Sequence, residues 1–300
     1  MMVDSLSRRN ANQRPERSPG RRRFLRRLLG VMIGVPAAAA GYARFIEPLM
    51  LRQRTLHLSL PRLPQAFNGL TVAHLTDIHF GHHMSAERLQ QVVDDIQAAE
   101  PDLICLTGDL VEDREVSVAQ AIPVLRQLTA PLGKFAVLGN HDYERGMDLA
   151  SEAFEASGFQ VLKNESHLIE RHGAVVAVAG IDDALKGIPD MNAALRGIAA
   201  DTCSILLAHE PDWGKESLNY PIDLQLSGHS HGGQVRLPFF GPLLLPRLGT
   251  RYPDGLYELE RTGGETRSLF IYTSRGIGTT VLPIRFSCPP EWTIITLSKS

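Results

Sequence analysis

The sequence predicts an α/β fold, and three observations lead there. Short apolar, β-rich runs recur along the chain, segments of helical spacing lie between several of them, and polar residues able to bind a metal stand just past several of the runs. Buried strands alternating with helices form sheets covered on both faces. Ligands in such sheets collect beyond the carboxyl ends of the strands. With 43% hydrophobic residues among 300, the chain can bury a sizeable core, as one large domain or two small ones.

The amino-terminal stretch stands apart. Residues 1–27 carry nine of the 31 basic residues and two of the 33 acidic ones, leaving 22 basic and 31 acidic, a balance of −9, in the remainder. A body of that sign does not suit binding driven by phosphate neutralisation, so no specific nucleic-acid partner is expected. Arg21-Arg22-Arg23-Phe24-Leu25-Arg26 precedes an uncharged run of 16 residues, Leu28 to Ala43, rich in alanine and glycine. That order of basic, apolar and small residues is the order of an export signal. The paired arginines followed by Phe-Leu resemble the twin-arginine (Tat) signal, whose translocon carries folded proteins. The run is shorter than the roughly 20 residues that span a bilayer. Export is therefore expected, to the periplasm or the outer face of the cytoplasmic membrane. Residues 1–50 are read as a signal, or a retained membrane anchor, with a linker, and 51–300 as the folded domain.

The body follows in order. Thr55–Leu60 alternates like an edge strand before the break at Pro61 to Pro64. Leu70–Thr76 is a buried strand delivering Asp77-Ile78-His79, two ligand types that an extended backbone would put on one face. Ser85 caps a helix carrying Leu89, Val92, Val93 and Ile96, which Pro101 stops. Leu103–Thr107 is a second buried strand, ending in Gly108-Asp109. Val116–Leu128 reads as a helix despite Pro123, and Phe135–Leu138 as a third strand running into Gly139-Asn140-His141-Asp142. Met147–Ser157 reads as a helix closed by Gly158. Phe159–Leu162 and Val175–Ile181 read as strands, with Arg171-His172-Gly173 a turn between neighbours, and Asn192–Ile198 as a helix.

Ser204–Ala208 is a fourth apolar strand, ending in His209, and Ile222–Leu226 leads into Ser227-Gly228-His229-Ser230-His231-Gly232-Gly233. Two imidazoles two residues apart share one side of an extended segment. The same stretch also fits a polar turn with two solvated rings. Leu237–Pro246 is apolar and proline-rich, suited either to cap a second sheet or to form an exposed rim that meets lipid. Strands at Leu269–Thr273 and Thr293–Leu297 close the chain. Cys105, Cys203 and Cys288 make no even-numbered framework and read as buried thiols.

Collected, the motifs are Asp77-x-His79, Gly108-Asp109, Gly139-Asn140-His141-Asp142, a strand-end His209, and Gly228-His229-x-His231. In this order they resemble the calcineurin-like metallophosphoesterases over about residues 70–235. Gly233-Gln234-x-Arg236-Leu237-Pro238 and Pro283-Ile284-Arg285-Phe286 with Cys288-Pro289-Pro290-Glu291 are further similar to the exported YkuE/YaeI-like branch of that family. The resemblance implies a four-layer αββα sandwich of two mixed β-sheets flanked by helices. It also implies two divalent metal ions, Mn, Zn, Fe or Ni. Asp77, His79, Asp109 and His231 would hold the first, and Asn140, His209 and His229 with the shared Asp109 the second.

The residue types agree independently. Imidazole and carboxylate donors without a thiolate suit mid-row divalent ions and argue against zinc-finger or iron–sulfur sites. A carboxylate shared by cations roughly 3.5–4 Å apart would let them deprotonate a bridging water into the nucleophile. His141, carried over as a non-ligand, is expected to act as acid or phosphate donor, with Asp142 orienting it and raising its pKa. His82 and His83 read as surface histidines, and Arg275 and Arg285 as candidate phosphate contacts.

The function implied is a binuclear metal-dependent phosphoesterase, foremost a phosphodiesterase, acting on a phosphoester that includes lipid-linked forms. One alternative is a UDP-2,3-diacylglucosamine-type pyrophosphatase of lipid A synthesis, motivated by the apolar 237–245 loop. The other is a non-catalytic metal-binding envelope protein, against which every ligand position is filled.

Overall fold

A computed structural model describes residues 19–112, 116–261 and 268–300. They divide into two compact units between Tyr42 and Ala43, earlier than the boundary near residue 50 read from the sequence. The first contains most of helix α1 (Pro19–Phe45). The stretch Gly20–Leu49 is long and apolar enough to cross a membrane, by length and composition. The sequence reading understated this length because Arg44 does not end the helix but lies within it. The basic residues before Pro19 fall outside the described residues.

The second unit begins before residue 50 for a physical reason. Glu47 is buried, and its carboxylate accepts hydrogen bonds from the backbone N–H groups of Ser287 and Cys288. A buried carboxylate needs such donors to offset its lost hydration. In chain order this unit contains β1 (Arg52–Leu60), β2 (Leu70–Leu75), α2 (Ala86–Ala98), β3 (Leu103–Thr107), α3 (Val116–Leu125), β4 (Lys134–Val137), α4 (Asn140–Ala156) and β5 (Gln160–Val161). There follow β6 (Glu165–Arg171), β7 (Ala174–Gly180), α5 (Met191–Ala194), β8 (Cys203–Leu207), α6 (Gly214–Ser217) and β9 (Leu224–Ser227). The short hairpin β10 (Arg236–Leu237) and β11 (Gly241–Pro242) precedes β12 (Gly255–Glu260), β13 (Ser268–Thr273) and β14 (Glu291–Lys299).

Two six-stranded mixed sheets result, in the orders β1-β14-β2-β3-β4-β5 and β12-β13-β9-β8-β7-β6. β2 to β5 pair in parallel, as do β7, β8, β9 and β13, while β14 and β6 run antiparallel to β2 and β7. Strand alternation builds the layers. Leu103, Cys105, Phe135 and Val137 point into a core shared with Val176, Val178, Ile205 and Leu207, so the sheets pack face to face. Ile104, Leu106 and Ala136 point the other way, onto Leu89, Val92, Val93 and Ile96 of α2 and Phe154 of α4. The outer face of the second sheet packs Leu206 and Ile271 with Met191 and Ala194 of α5. Helix, sheet, sheet and helix therefore stack in four layers.

Ser85 accepts a hydrogen bond from Arg88 N at the start of α2, a cap that stabilises a helix by about 1 kcal/mol. Several expectations change. α4 begins at Asn140, not Met147, and holds a break at Gly146, where φ is 136°. α3 stops at Leu125 and α5 spans only Met191–Ala194. The partner of β7 across the 172–173 turn is β6, which the sequence reading passed over. As an edge strand β6 fully buries only Ile169, so its composition carries little strand signal.

Candidate metal centre

The loops after β2, β3, β4, β8 and β9 converge at one end of the two sheets. They bring together the seven residues named from the sequence. Asp77, His79 and His231 offer donor atoms within 4.8 Å of one another, as do Asp109, His209 and His229. His231 Nε2 lies 3.3 Å from Asp77 Oδ1 and 3.0 Å from His79 Nε2. His209 Nε2 lies 3.2 Å and His79 Nε2 3.6 Å from Asp109 Oδ2, which puts Asp109 between the two groups. Asn140 lines the same cavity as Asp109, His229 and His231, and its Oδ1 is buried with no hydrogen-bond partner.

The backbone that holds them is not extended, contrary to the expectation of shared strand faces. Asp77, His79, Asp109, His229 and His231 all have positive φ, between 46° and 66°. Non-glycine residues rarely adopt this region, and such strain gathers at functional sites. The strands have already ended: β9 stops at Ser227, and His231 opens a single 3-10 turn. Gly228 is required because a Cβ there would sit 2.3 Å from Asp77 Oδ2. Its neighbour His229 donates its backbone N–H to the Asp77 carboxylate at 3.1 Å. At Gly108 a Cβ would come 2.6 Å from Gly139 N, so these two loops touch backbone to backbone.

Ring chemistry sets the donors. His79 Nδ1 bonds the Glu112 carboxylate at 2.9 Å, His209 Nδ1 the carbonyl of Thr107 at 2.6 Å, and His229 Nε2 the carbonyl of Arg247 at 2.8 Å. Each acceptor is an oxygen that cannot donate, so the ring N–H is spent there. In the neutral ring the other nitrogen keeps its lone pair, the form that binds a cation, and on His209 a cation would take the place of the proton that Asp109 favours. Burial and then His209 push the His229 pKa down to about 4. Burial and His79 hold His231 well below its usual value. Both rings are therefore neutral at pH 7. Burial works to raise Asp109, but His209 with His79 and His141 keeps it well below the carboxylate range. Burial likewise opposes a proton on His209, yet Asp109 raises its pKa well above the usual value. The attraction for positive charge at that point is one a cation would also meet. Orphaned Asn140 Oδ1, lone-pair imidazoles and ionised Asp109 fit divalent cations.

His141 stands beside this cluster, its Nδ1 2.8 Å from Glu112 Oε2 and its Nε2 3.5 Å from Thr280 Oγ1. Burial works against its protonation, but Glu112 raises its pKa to about 9. Asp142 does not orient His141, as had been expected. Its carboxylate accepts the backbone N–H groups of Gly139 at 3.0 Å, Asp109 at 2.9 Å and Val111 at 3.1 Å, fastening the start of α4 to the Asp109 loop.

Glu112 takes the role given to Asp142, and sequence reasoning missed it. The available signal was an acidic residue three positions past Asp109. Because Glu112 orients both His79 and His141, Glu112→Gln is expected to cost about 10–100-fold in metal affinity or turnover. Metal titration and steady-state kinetics on the folded variant check it, and an unchanged value for both would rule that role out.

The two arginines named as phosphate contacts are engaged elsewhere. Arg275 bonds Asp254 at 2.8 Å, and Arg285 is fully buried among backbone carbonyls. His83 is exposed and lies beside a separate small pocket with Phe80 and Met84.

Residues 70–233, more than half of the chain, match the family described as calcineurin-like phosphoesterase. The chain is 36% identical over 287 residues to the uncharacterized metallophosphoesterase YkuE of Bacillus subtilis, covering 93% of this chain and 98% of that one. It is 30% identical to the transmembrane protein with metallophosphoesterase domain of Bos taurus, covering 93% of this chain and 64% of that one. It is 27% identical to the UDP-2,3-diacylglucosamine pyrophosphatase LpxG of Chlamydia trachomatis, covering 88% of this chain and 94% of that one.

Proposed function

The chain belongs to the calcineurin-like phosphoesterase family, and on that premise we propose that it is a metal-dependent phosphodiesterase with two divalent cations, Mn, Zn, Fe or Ni. The observation that carries this is Asp109, whose carboxylate lies between two buried donor groups, Asp77, His79 and His231 on one side and His209 and His229 on the other. Asn140 would complete the second set with its unpartnered Oδ1. Cations so held would supply Lewis acidity toward the phosphoryl oxygens and lower the pKa of water.

The chain's own residues do the rest. His141, protonated near neutral pH beside Glu112, lines the cavity with its Nε2 3.5 Å from Thr280 Oγ1, and can give a proton to the leaving oxygen. Asp142 and the glycines fix the loops, so the donor set need not reorganise when substrate arrives. The amino-terminal helix is read as a twin-arginine signal or retained anchor, putting the site outside the cytoplasm with the Tat translocon as partner during export.

Chelator-treated protein is expected to lose hydrolysis of bis(p-nitrophenyl) phosphate and regain it with Mn²⁺, Zn²⁺, Fe²⁺ or Ni²⁺. Turnover that survives chelation would overturn the proposal.

A second reading is a pyrophosphatase acting on a nucleotide-linked, acylated sugar. It is favoured by the name of the Chlamydia relative and by the exposed apolar residues Phe239, Phe240 and Leu244. That substrate is made in the cytosol, so a topology assay finding residue 300 outside would count against it.

A further inference from the structure

The candidate centre opens into a groove, the whole cavity measuring about 670 Å³, within the range of small-molecule sites. Asp109, Asn140, His141, His229 and His231 form its polar end, and residues 243–246 on one side and 280–282 with Ile284 on the other its two walls. The walls are exposed where a folded protein ordinarily hides such side chains: Leu244 is 82% and Val281 77% accessible.

Both walls hang from the segment that follows His231. The Gln234 side chain accepts from Thr280 N at 3.0 Å and donates to Thr280 O at 2.9 Å, while Leu243 N donates to Val235 O at 3.0 Å. Val281 is held with φ at 58°, an uncommon backbone for a β-branched residue. The groove is thus fastened to the polar centre, not draped beside it. Among the described residues no lysine, arginine, phenylalanine, tyrosine or tryptophan side chain lines it, and its rings and cationic groups are the histidines of the polar end. Away from that end its walls offer leucine, valine, isoleucine and proline side chains.

The geometry points to an amphiphile with its phosphoryl group at the metal-type donors and one aliphatic chain lying between Leu244 and Val281. This rests on the phosphoesterase reading of the centre, because it is the continuity of groove and centre that selects a chain attached to a phosphate.

The test uses the full-length protein loaded with Mn²⁺ and measures binding of butyl and octyl phosphate, below micelle-forming concentrations, by calorimetry. Each buried methylene tightens binding roughly three- to fourfold, so octyl phosphate is expected to bind on the order of 100-fold tighter. Leu244→Asp and Val281→Asp are each expected to bring that ratio below about 10, since a carboxylate would then face the chain. Ile188→Asp, at an apolar residue 80% exposed outside the groove, should leave the ratio intact.

Equal affinities in a protein that hydrolyses bis(p-nitrophenyl) phosphate would overturn the groove and leave the phosphoesterase reading standing. A ratio that both Asp variants preserve would also overturn it. A retained preference in a protein that hydrolyses no phosphoester would support the groove and remove the activity.

Discussion

Asp109→Asn is expected to lower phosphodiester hydrolysis by at least about 10³-fold and to cost the protein metal. The carboxylate does three things at once. Oδ2 stands 3.6 Å from His79 Nε2 and 3.2 Å from His209 Nε2, and Oδ1 accepts the backbone N–H of His141 at 2.9 Å. Asparagine keeps the size and can keep the last of these, so the fold is expected to survive. It removes the negative charge shared by both donor groups and offers one carbonyl oxygen in place of two carboxylate oxygens. On the proposed two-cation reading, this loss would weaken both cation sites together, where loss of His229 would weaken only one. Circular dichroism, metal content and kcat/KM on the same preparation measure the effect. Activity within tenfold of the parent would show that Asp109 is not the shared ligand.

Arg285→Leu is expected to destabilise the protein by about 3–5 kcal/mol. Its guanidinium is fully buried and donates to the carbonyls of Gly278 at 2.6 Å, Arg275 at 2.8 Å, Cys288 at 3.0 Å and Gly276 at 3.1 Å. Leucine fills part of the volume but leaves these oxygens without their donor, and each unmet buried acceptor costs about 1–3 kcal/mol. The segment so fastened lies behind the centre. Gly278 N donates to Asp77 O, and a Cβ on Gly276 would come 2.6 Å from Asp77 Cβ. Thermal unfolding should therefore fall by about 10 °C, and metal affinity with it. A shift of less than about 2 °C would show the carbonyls find other partners.

Much of this was legible in the sequence because buried parallel strands announce themselves. The runs at 70–75, 103–107 and 203–207 are mostly apolar and carry no charge, and the structure buries nearly all of their side chains. Residues that end such runs face the crevice whatever the loop does, which is why Asp77, Asp109 and His209 meet. Edge strands were harder. β12 alternates exposed and covered residues and β6 buries only Ile169, so neither carries a continuous apolar signal.

The loop backbone was also hidden. Side-chain period in a strand says nothing about the three loops in which five ligand-type residues take positive φ. Contacts between distant loops lay beyond reach for the same reason. Glu112 serves His79 and His141, which lie 33 and 29 residues away, and Arg285 reads in sequence as an exposed cation until its carbonyl cage is seen. Composition marked the 237–246 stretch as apolar without saying which way it faced. Phe239 and Phe240 stand in solvent beside the short hairpin strands, and they do not cap the second sheet.

The central claim is that Asp109 joins two donor sets into one two-cation centre. Metal analysis of the reloaded protein, on the sample used for the diester assay, tests it most directly. Two divalent ions per chain, lost together with hydrolysis on chelation, are the result the account requires. A fully active sample with one ion per chain or none would contradict it.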